Sequence, residues 1–355
     1  MSTAEQEFGE WPLKRLMTEV VGSGHKSADD MSRAQASEAF ERILAGEPDH
    51  TTLGAFWLAN RWKRNTAEEL GAFLDVMAED VVVAEPSADP VDCGAAYDGK
   101  HTTAILGVAA GAVAAAAGTP VAVHSGDRVP TQKLPAYKHV LDELGVRTEL
   151  NPGESADMVD ETGVGFYYQP AFAPHLQELW ERREMMGVRT FVNTIETLAN
   201  PAGASVHLGS FYHLPFAKRI VETFRESETS SVERVIMFQG QEGYDDIRPG
   251  TTVVAEGTVD GGDIDDYEIQ TADYGMDFEG DDLAVEDVAA DSAAVTEAVL
   301  DGERTDQFAD AVALNAAVRI YAAGDAADLD AGLATARDAI DDGSAAAVLA
   351  DLQAF

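Results

Sequence analysis

The stretch from Val91 to Gly126 constrains the fold of this chain more than any other. It reads VDCGAAYDGK, then HTTAILGVAAGAVAAAAGTP, then VAVHSG. A short opening with Gly and Asp leads into a long Ala-rich helix. A glycine stops that helix, a short apolar strand follows at Val121–Val123, and a polar loop comes next with His124 and Arg128. Strand, loop, helix and strand in that order build an α/β sheet. A glycine-bearing loop that runs into a helix also suits an anion, because the first N–H groups are free and the helix dipole is positive there.

The alternation continues along the chain. Val164–Tyr168 and Arg234–Phe238 read as strands. Tyr137–Leu144, His175–Met186 and Phe211–Glu226 read as helices, the first two closed by Gly145 and Gly187. Thr251–Glu256 and Tyr267–Gln270 flank Asp260-Gly261-Gly262, a hairpin signal. Asp306–Ala323, Leu329–Asp342 and Ser344–Leu352 are helical. Before residue 90 the pattern is helical only: an apolar stripe from Trp11 to Val21, then Met31–Ala45, Thr51–Arg61 and Thr66–Asp80. The expected fold is α/β with an all-α N-terminal domain and a central mixed sheet flanked by helices. The expected boundaries are 1–84 for the helical domain, with helix 172–187 packing on it, and 85–355 for the α/β domain.

Charge narrows the function classes. The 355 residues carry 24 Lys+Arg against 64 Asp+Glu, a formal net charge of -40. The acids alternate with Ala, Val and Leu, as on solvated helix faces, and do not collect in one disordered block. Such a surface suits a salty interior, where screening shortens electrostatic reach to about 3 Å at 1 M. The scarcity of Lys, seven against 17 Arg, agrees with that reading. The charge disfavours nucleic acid, whose affinity rests on Lys and Arg at phosphates. Cys93 is the single cysteine, so neither a disulfide framework nor a cysteine metal site is expected. The N-terminal residues show no signal-peptide pattern, and the Ala-rich run is too short for a bilayer. A cytoplasmic protein with no membrane partner is expected.

Four segments carry candidate chemistry. In the loop Asp92–Thr103, Gly94 and Gly99 allow close backbone approach, and Lys100, His101, Thr102 and Thr103 suit anionic oxygens. The alternative there is a tight turn capped by Thr102 or Thr103. His124 and Arg128 share one loop after a strand, where α/β proteins place ligands. Asp245 and Asp246 are adjacent carboxylates after another strand, a pattern for a hard cation or for a solvated surface pair. Arg183, Arg189 and Asn193, in RREMMGVRTFVNTIETLANP, suit a carboxylate held by bidentate pairing or salt bridges to the chain's own acids.

Taken in order, these segments resemble the anthranilate phosphoribosyltransferase family, within the nucleoside phosphorylase/phosphoribosyltransferase fold. SADDMSRAQASEAFERILAGEPDHTTLGAFWLANRWKRNTAEELGAF resembles its helical layout. GVRTFVNTIETLANP resembles its Arg–Asn segment, GQEGYDDI its metal-binding acidic loop, and LNAAVRIYAAGDAADLDAGLATARDAIDDGSA its C-terminal helices. The resemblance implies Mg²⁺-dependent transfer of phosphoribose from phosphoribosyl pyrophosphate to an aromatic amine. It implies phosphate contacts at Gly94, Asp98, Gly99, Lys100, Thr102, Thr103, His124 and Arg128. It implies acceptor contacts at Arg183, Arg189 and Asn193, Mg²⁺ at Asp245 and Asp246, and a homodimer through the N-terminal helices.

The chain departs from that family at defined points. The family's Gly-Thr-Gly-Gly-Asp-Gly loop becomes Gly94-Ala95-Ala96-Tyr97-Asp98-Gly99. Its Asn-x-Ser-Thr falls near the apolar Ile105–Val108, and its Lys-His-Gly becomes Val123-His124-Ser125. Its Ser-Ser becomes Thr131-Gln132 and its Gly-Pro becomes Glu196-Thr197. The pattern resembles a divergent second branch of the family, with altered phosphate loops and members suggested to bind nucleic acid. A paralogue that binds nucleic acid or a nucleotide without the transferase activity is the alternative expectation.

Overall fold

The computed structural model describes residues 7–22, 24, 26–94, 97 and 99–355. Helices α1 (Leu13–Glu19), α2 (Arg33–Leu44), α3 (His50–Lys63) and α4 (Ala67–Asp80) form the N-terminal layer. Local chemistry fixes their starts. Ser32 with Gln35 and Thr66 with Glu69 form reciprocal capping boxes, and Asp49 accepts the first N–H groups of α3.

The sheet has seven strands: β1 (Val91–Cys93), β2 (Val121–Ser125), β3 (Val164–Tyr168), β4 (Val206–Ser210), β5 (Arg234–Phe238), β6 (Thr251–Thr258) and β7 (Asp265–Gln270). Their order is β3-β2-β1-β4-β5-β6-β7. The first five are parallel, and β6 and β7 add antiparallel at one edge. Strand alternation divides the core in two. Val121, Val123, Ile236 and Phe238 face one cluster, shared with α5 (Gly107–Ala116) and α6 (Tyr137–Glu143). Ala122, Val235 and Met237 face the other, shared with α1–α4. Phe172, Leu176 and Leu179 join that second cluster, so the segment following β3 packs against the helical layer.

That segment is three short helices, α8 (Gln169–Phe172), α9 (Pro174–Glu178) and α10 (Trp180–Met186), where the sequence suggests one from His175 to Met186. Pro174 starts a new helix after α8 because it cannot continue the old one. The sequence reading omits α7 (Pro152–Thr162), β4 and α13 (Val288–Leu300). The β4 sequence VHLGS carries a histidine and a glycine in place of an apolar run, yet it pairs with β1 and β5 on both sides. The short α11 (Val192–Ile195) precedes β4. The helix expected from Phe211 begins at Leu214 as α12 (Leu214–Glu226). Helices α14 (Gln307–Ala323), α15 (Leu329–Asp341) and α16 (Ser344–Ala354) close the sheet face behind α5. The carboxyl ends of β1, β2, β4 and β5 share one end of the sheet, where open α/β folds place ligands.

Candidate active site

The loop after β1 holds an anion supplied by the protein itself. The Glu242 carboxylate accepts from the N–H groups of His101 (2.7 Å), Thr102 (3.2 Å) and Thr103 (2.8 Å). It also accepts from the hydroxyls of Thr102 (3.0 Å) and Thr103 (2.6 Å). Burial would raise its pKa, but the Thr103, His101 and Thr102 bonds hold it below the usual range. Neither threonine caps α5, which starts at Gly107 with Leu106 at its N-cap and no side-chain cap. The cradle is therefore a run of loop N–H groups ahead of the helix, an anion nest. Glu242 reaches it from the loop after β5, with a φ of 55° that side chains seldom adopt.

The loop glycines serve protein packing. A Cβ at Gly94 would lie 1.8 Å from the Thr197 carbonyl oxygen. Gly99 has a φ of 76°, and a Cβ there would meet the Pro135 carbonyl at 2.4 Å. Tyr97 is buried and its hydroxyl meets His124 Nδ1 at 2.9 Å. His124 and Ser125 lie inside β2, fully buried, where the sequence suggests a polar loop. His124 Nε2 faces Asp92 Oδ1 at 3.2 Å, and Asp92 Oδ2 faces His207 Nδ1 at 2.7 Å. Burial would raise the Asp92 pKa, but His124 and His207 bring it down to about 2. Asp98 lies outside the described residues. Arg128 is exposed and donates to the Lys133 carbonyl.

Asp245 and Asp246 are both buried. Lys100 Nζ lies 2.5 Å from Asp246 Oδ2 and donates to the Ala104 carbonyl at 2.7 Å. Asp245 Oδ2 accepts from the Tyr137 hydroxyl at 2.7 Å and from Arg319 Nη2 at 3.1 Å. Burial, with Asp246 beside it, raises the Asp245 pKa to about 6. Each carboxylate thus has a buried protein cation as its partner. Mg²⁺ needs a small octahedron of oxygens, and no group of three His, Cys, Asp or Glu among the described residues could hold a metal. Lys100 and Arg319 meet the Oδ2 atoms of the pair, while Oδ1 of Asp245 and Oδ1 of Asp246 are buried with no hydrogen-bond partner among the described residues, which suits the one or two carboxylates that Mg²⁺ takes beside phosphates and water.

The expected acceptor residues separate. Arg183 is buried in a bidentate pair with Glu196, Nη1–Oε2 2.8 Å and Nη2–Oε1 2.6 Å. Arg189 and Asn193 instead line an open cavity of about 820 Å³ between the helical layer and the ends of β4 and β5. Gly243, one residue from Glu242, belongs to the same wall, so cradle and cavity lie on two sides of one loop.

Residues 88–346 match the a/b domain of the glycosyl transferase family, and residues 19–81 match its helical bundle domain. An anthranilate phosphoribosyltransferase of Natronomonas pharaonis is 32% identical over 92% of this chain and 96% of its own length. The chain belongs to the anthranilate phosphoribosyltransferase family. The Methanocorpusculum labreanum relative is 33% identical over 92% of this chain and 94% of its own. The crystal structure of the Thermus thermophilus anthranilate phosphoribosyltransferase superposes with a TM-score of 0.79, at 26% identity over 92% of this chain and 96% of that one. The Saccharomyces cerevisiae anthranilate phosphoribosyltransferase in complex with PRPP and Mg shares the fold, with a TM-score of 0.77 at 18% identity over 90% and 92% of the two chains.

Several residues that shape this member of the family escaped the sequence reading. Asp92 carried a signal, an acid between Val91 and Cys93 in an apolar strand. Arg319 carried another, a lone cation inside the apolar run of α14. The sequence reading noted Glu196 only as a departure, not as the partner of Arg183. Glu242 carried no local signal, because its partners lie about 140 residues away.

Proposed function

We propose that this chain transfers phosphoribose from phosphoribosyl pyrophosphate to an aromatic amine, the chemistry its relatives' name describes. The observation that carries the reading is the cradle at His101–Thr103, which already grips a carboxylate with three N–H groups and two hydroxyls. A carboxylate oxygen pair and a phosphate share that donor requirement. In the reaction the amine nitrogen bonds to ribose C1 and the C1–O bond to pyrophosphate breaks. The electron pair leaves with pyrophosphate, and the amine proton goes to solvent. The cradle donors stabilise the charge that develops on the leaving oxygens, once Glu242 has withdrawn. Arg189 and Asn193 face the acceptor, and Arg183 is held back by Glu196. No general base is required for an amine that is already nucleophilic. Mg²⁺ belongs to this reading with the substrate's pyrophosphate and water, and the unpartnered Oδ1 atoms of Asp245 and Asp246 would hold it.

Titration calorimetry at high salt, with phosphoribosyl pyrophosphate and Mg²⁺, tests the reading. Glu242→Gln keeps the side chain's shape and removes its charge. Binding by the parent protein, tightened at least tenfold in Glu242→Gln, supports the cradle. Absence of binding in both proteins refutes the transferase reading.

The same reading includes a cytoplasmic location, adaptation of the acidic surface to high salt, and a homodimer. Leu58 and Trp62, one turn apart on α3, are exposed, as are Met185 and Val188 beside them at the end of α10. Arg61 donates to the Arg189 carbonyl at 2.9 Å, which brings these two segments together. Light scattering on Trp62→Glu checks the dimer; an unchanged mass would remove this patch from the interface.

A further inference from the structure

Glu196 and Glu69 are buried carboxylates with complete sets of partners. Glu196 spends both oxygens on Arg183. Glu69 places Oε1 on the Met31 N–H and Oε2 on Lys63, Asn65 and the Thr66 N–H. The Asp245–Asp246 pair is only half complete. Asp245 Oδ2 accepts from Tyr137 and Arg319, and Asp246 Oδ2 meets Lys100 and accepts from the Leu106 N–H at 3.1 Å. Both Oδ1 atoms are buried without a hydrogen bond among the described residues. A buried carboxylate oxygen left bare costs free energy, so two of them on adjacent residues mark a place for a cation.

That place is already neutral. Lys100 and Arg319 are 1% and 0% exposed, and each gives one positive charge to one carboxylate. They come from separate elements, Lys100 from the loop after β1 and Arg319 from α14. The Asn315 carbonyl and the Tyr137 hydroxyl, both at 2.9 Å, fix Arg319 further. The Ala104 carbonyl fixes Lys100 at 2.7 Å. Neither cation has solvent to retreat into. A lone Mg²⁺ would therefore leave two uncompensated positive charges in a buried cluster, and the low dielectric penalises them. A diphosphate alongside removes that excess. Its place is adjacent, because Lys100 directly precedes His101, where the cradle begins, and Glu242 shares one loop with both aspartates.

We propose that Lys100 and Arg319 are built-in counter-ions that shut a lone divalent cation out of the Asp245–Asp246 pair and admit it only together with a diphosphate. Each of the two ligands then raises affinity for the other by the same factor. The cluster turns from neutral to positive as the pair fills, which suits the charge that develops on a departing pyrophosphate. The inference rests on the transferase reading for the identity of the anion and adds how metal and anion depend on each other.

The probe is Mn²⁺ alone, a spin-bearing stand-in for Mg²⁺, added to the full chain at pH 8 and at high monovalent salt, which screens the acidic surface. Bound Mn²⁺ is read as loss of the free-ion electron paramagnetic resonance signal. Lys100→Met keeps the side-chain stem and removes its charge. It should bind Mn²⁺ at least tenfold more tightly than the parent protein, and Arg319→Leu should do the same. Lys100→Met/Asp246→Asn should lose the gained site, which places that site at the pair. The double variant removes both charges and should melt near the parent protein, so lost binding is told apart from lost folding. In equilibrium dialysis, inorganic pyrophosphate should raise the Mn²⁺ retained by the parent protein at least tenfold. Tight binding of lone Mn²⁺ to the parent protein overturns the proposal without any variant. So does an unchanged Mn²⁺ affinity in both single variants. A gain in the variants with no effect of pyrophosphate counts against the transferase reading and leaves the counter-ions standing.

Discussion

At the cradle the negative charge comes from Glu242, and just behind it Lys100 and Arg319 each meet an aspartate. Across the loop, Arg61, Arg64 and Arg219 face a cavity with no carboxylate of the described chain. The two regions lie at the same end of the sheet, in the same acidic protein. The first is closed on itself, because buried charges must be matched and the fold has matched them. The second is open to solvent, and there Arg61 and Arg219 donate to backbone carbonyls in place of carboxylates.

The largest test of this contrast is Arg319→Leu. Removing one partner of a buried pair costs about 3–5 kcal/mol, measured by urea unfolding. A loss below about 1 kcal/mol would show that Asp245 does not depend on Arg319, and the closed region would no longer be closed by charge matching.

Gly94→Ala comes next. Its Cβ would press on the Thr197 carbonyl, and overpacking of this kind costs about 1–3 kcal/mol. If Gly94 instead serves a bound pyrophosphate, the melting temperature would hold and only affinity would fall.

The smallest effect is at the surface. His175, mostly exposed, pairs with Asp80 between α9 and α4. The Asp80 hydrogen bond and charge raise the His175 pKa above 6.5. The pair's stabilisation is therefore complete below pH 6.5 and fades as pH rises through the raised value. Asp80→Asn should cost under about 1 kcal/mol at pH 6 and less at pH 9. Thermal melts at both values check this, and a cost that grows with pH would reverse the assignment.

Much of the fold was legible because periodicity is local. Strands β2, β3 and β5 and the C-terminal helices announce themselves by apolar spacing and glycine stops. Strand β4 did not, because His207 inside it is satisfied by Asp92 on the neighbouring strand, a partner 115 residues away. The site was legible only in outline for the same reason. The loop glycines, threonines and paired aspartates lie at the carboxyl end of the sheet, each with a partner from the protein itself. Whether a residue faces a ligand or a protein partner depended on Glu242, Glu196 and Arg319, which topology brings in from distant segments. Thus Arg183 and Arg189, six positions apart, end in different surroundings, one sealed by Glu196 and one beside open space.

The Glu242 carboxylate is also a tethered competitor. A group on a short loop acts as though present at roughly millimolar concentration. A free monoanion of similar strength, at micromolar concentration, would lose to it about a thousandfold. Only a ligand whose extra charge or extra contacts supply about 4 kcal/mol more can displace it. The loop would then act as a threshold, admitting multiply charged phosphates and turning away the singly charged metabolites that crowd any cell.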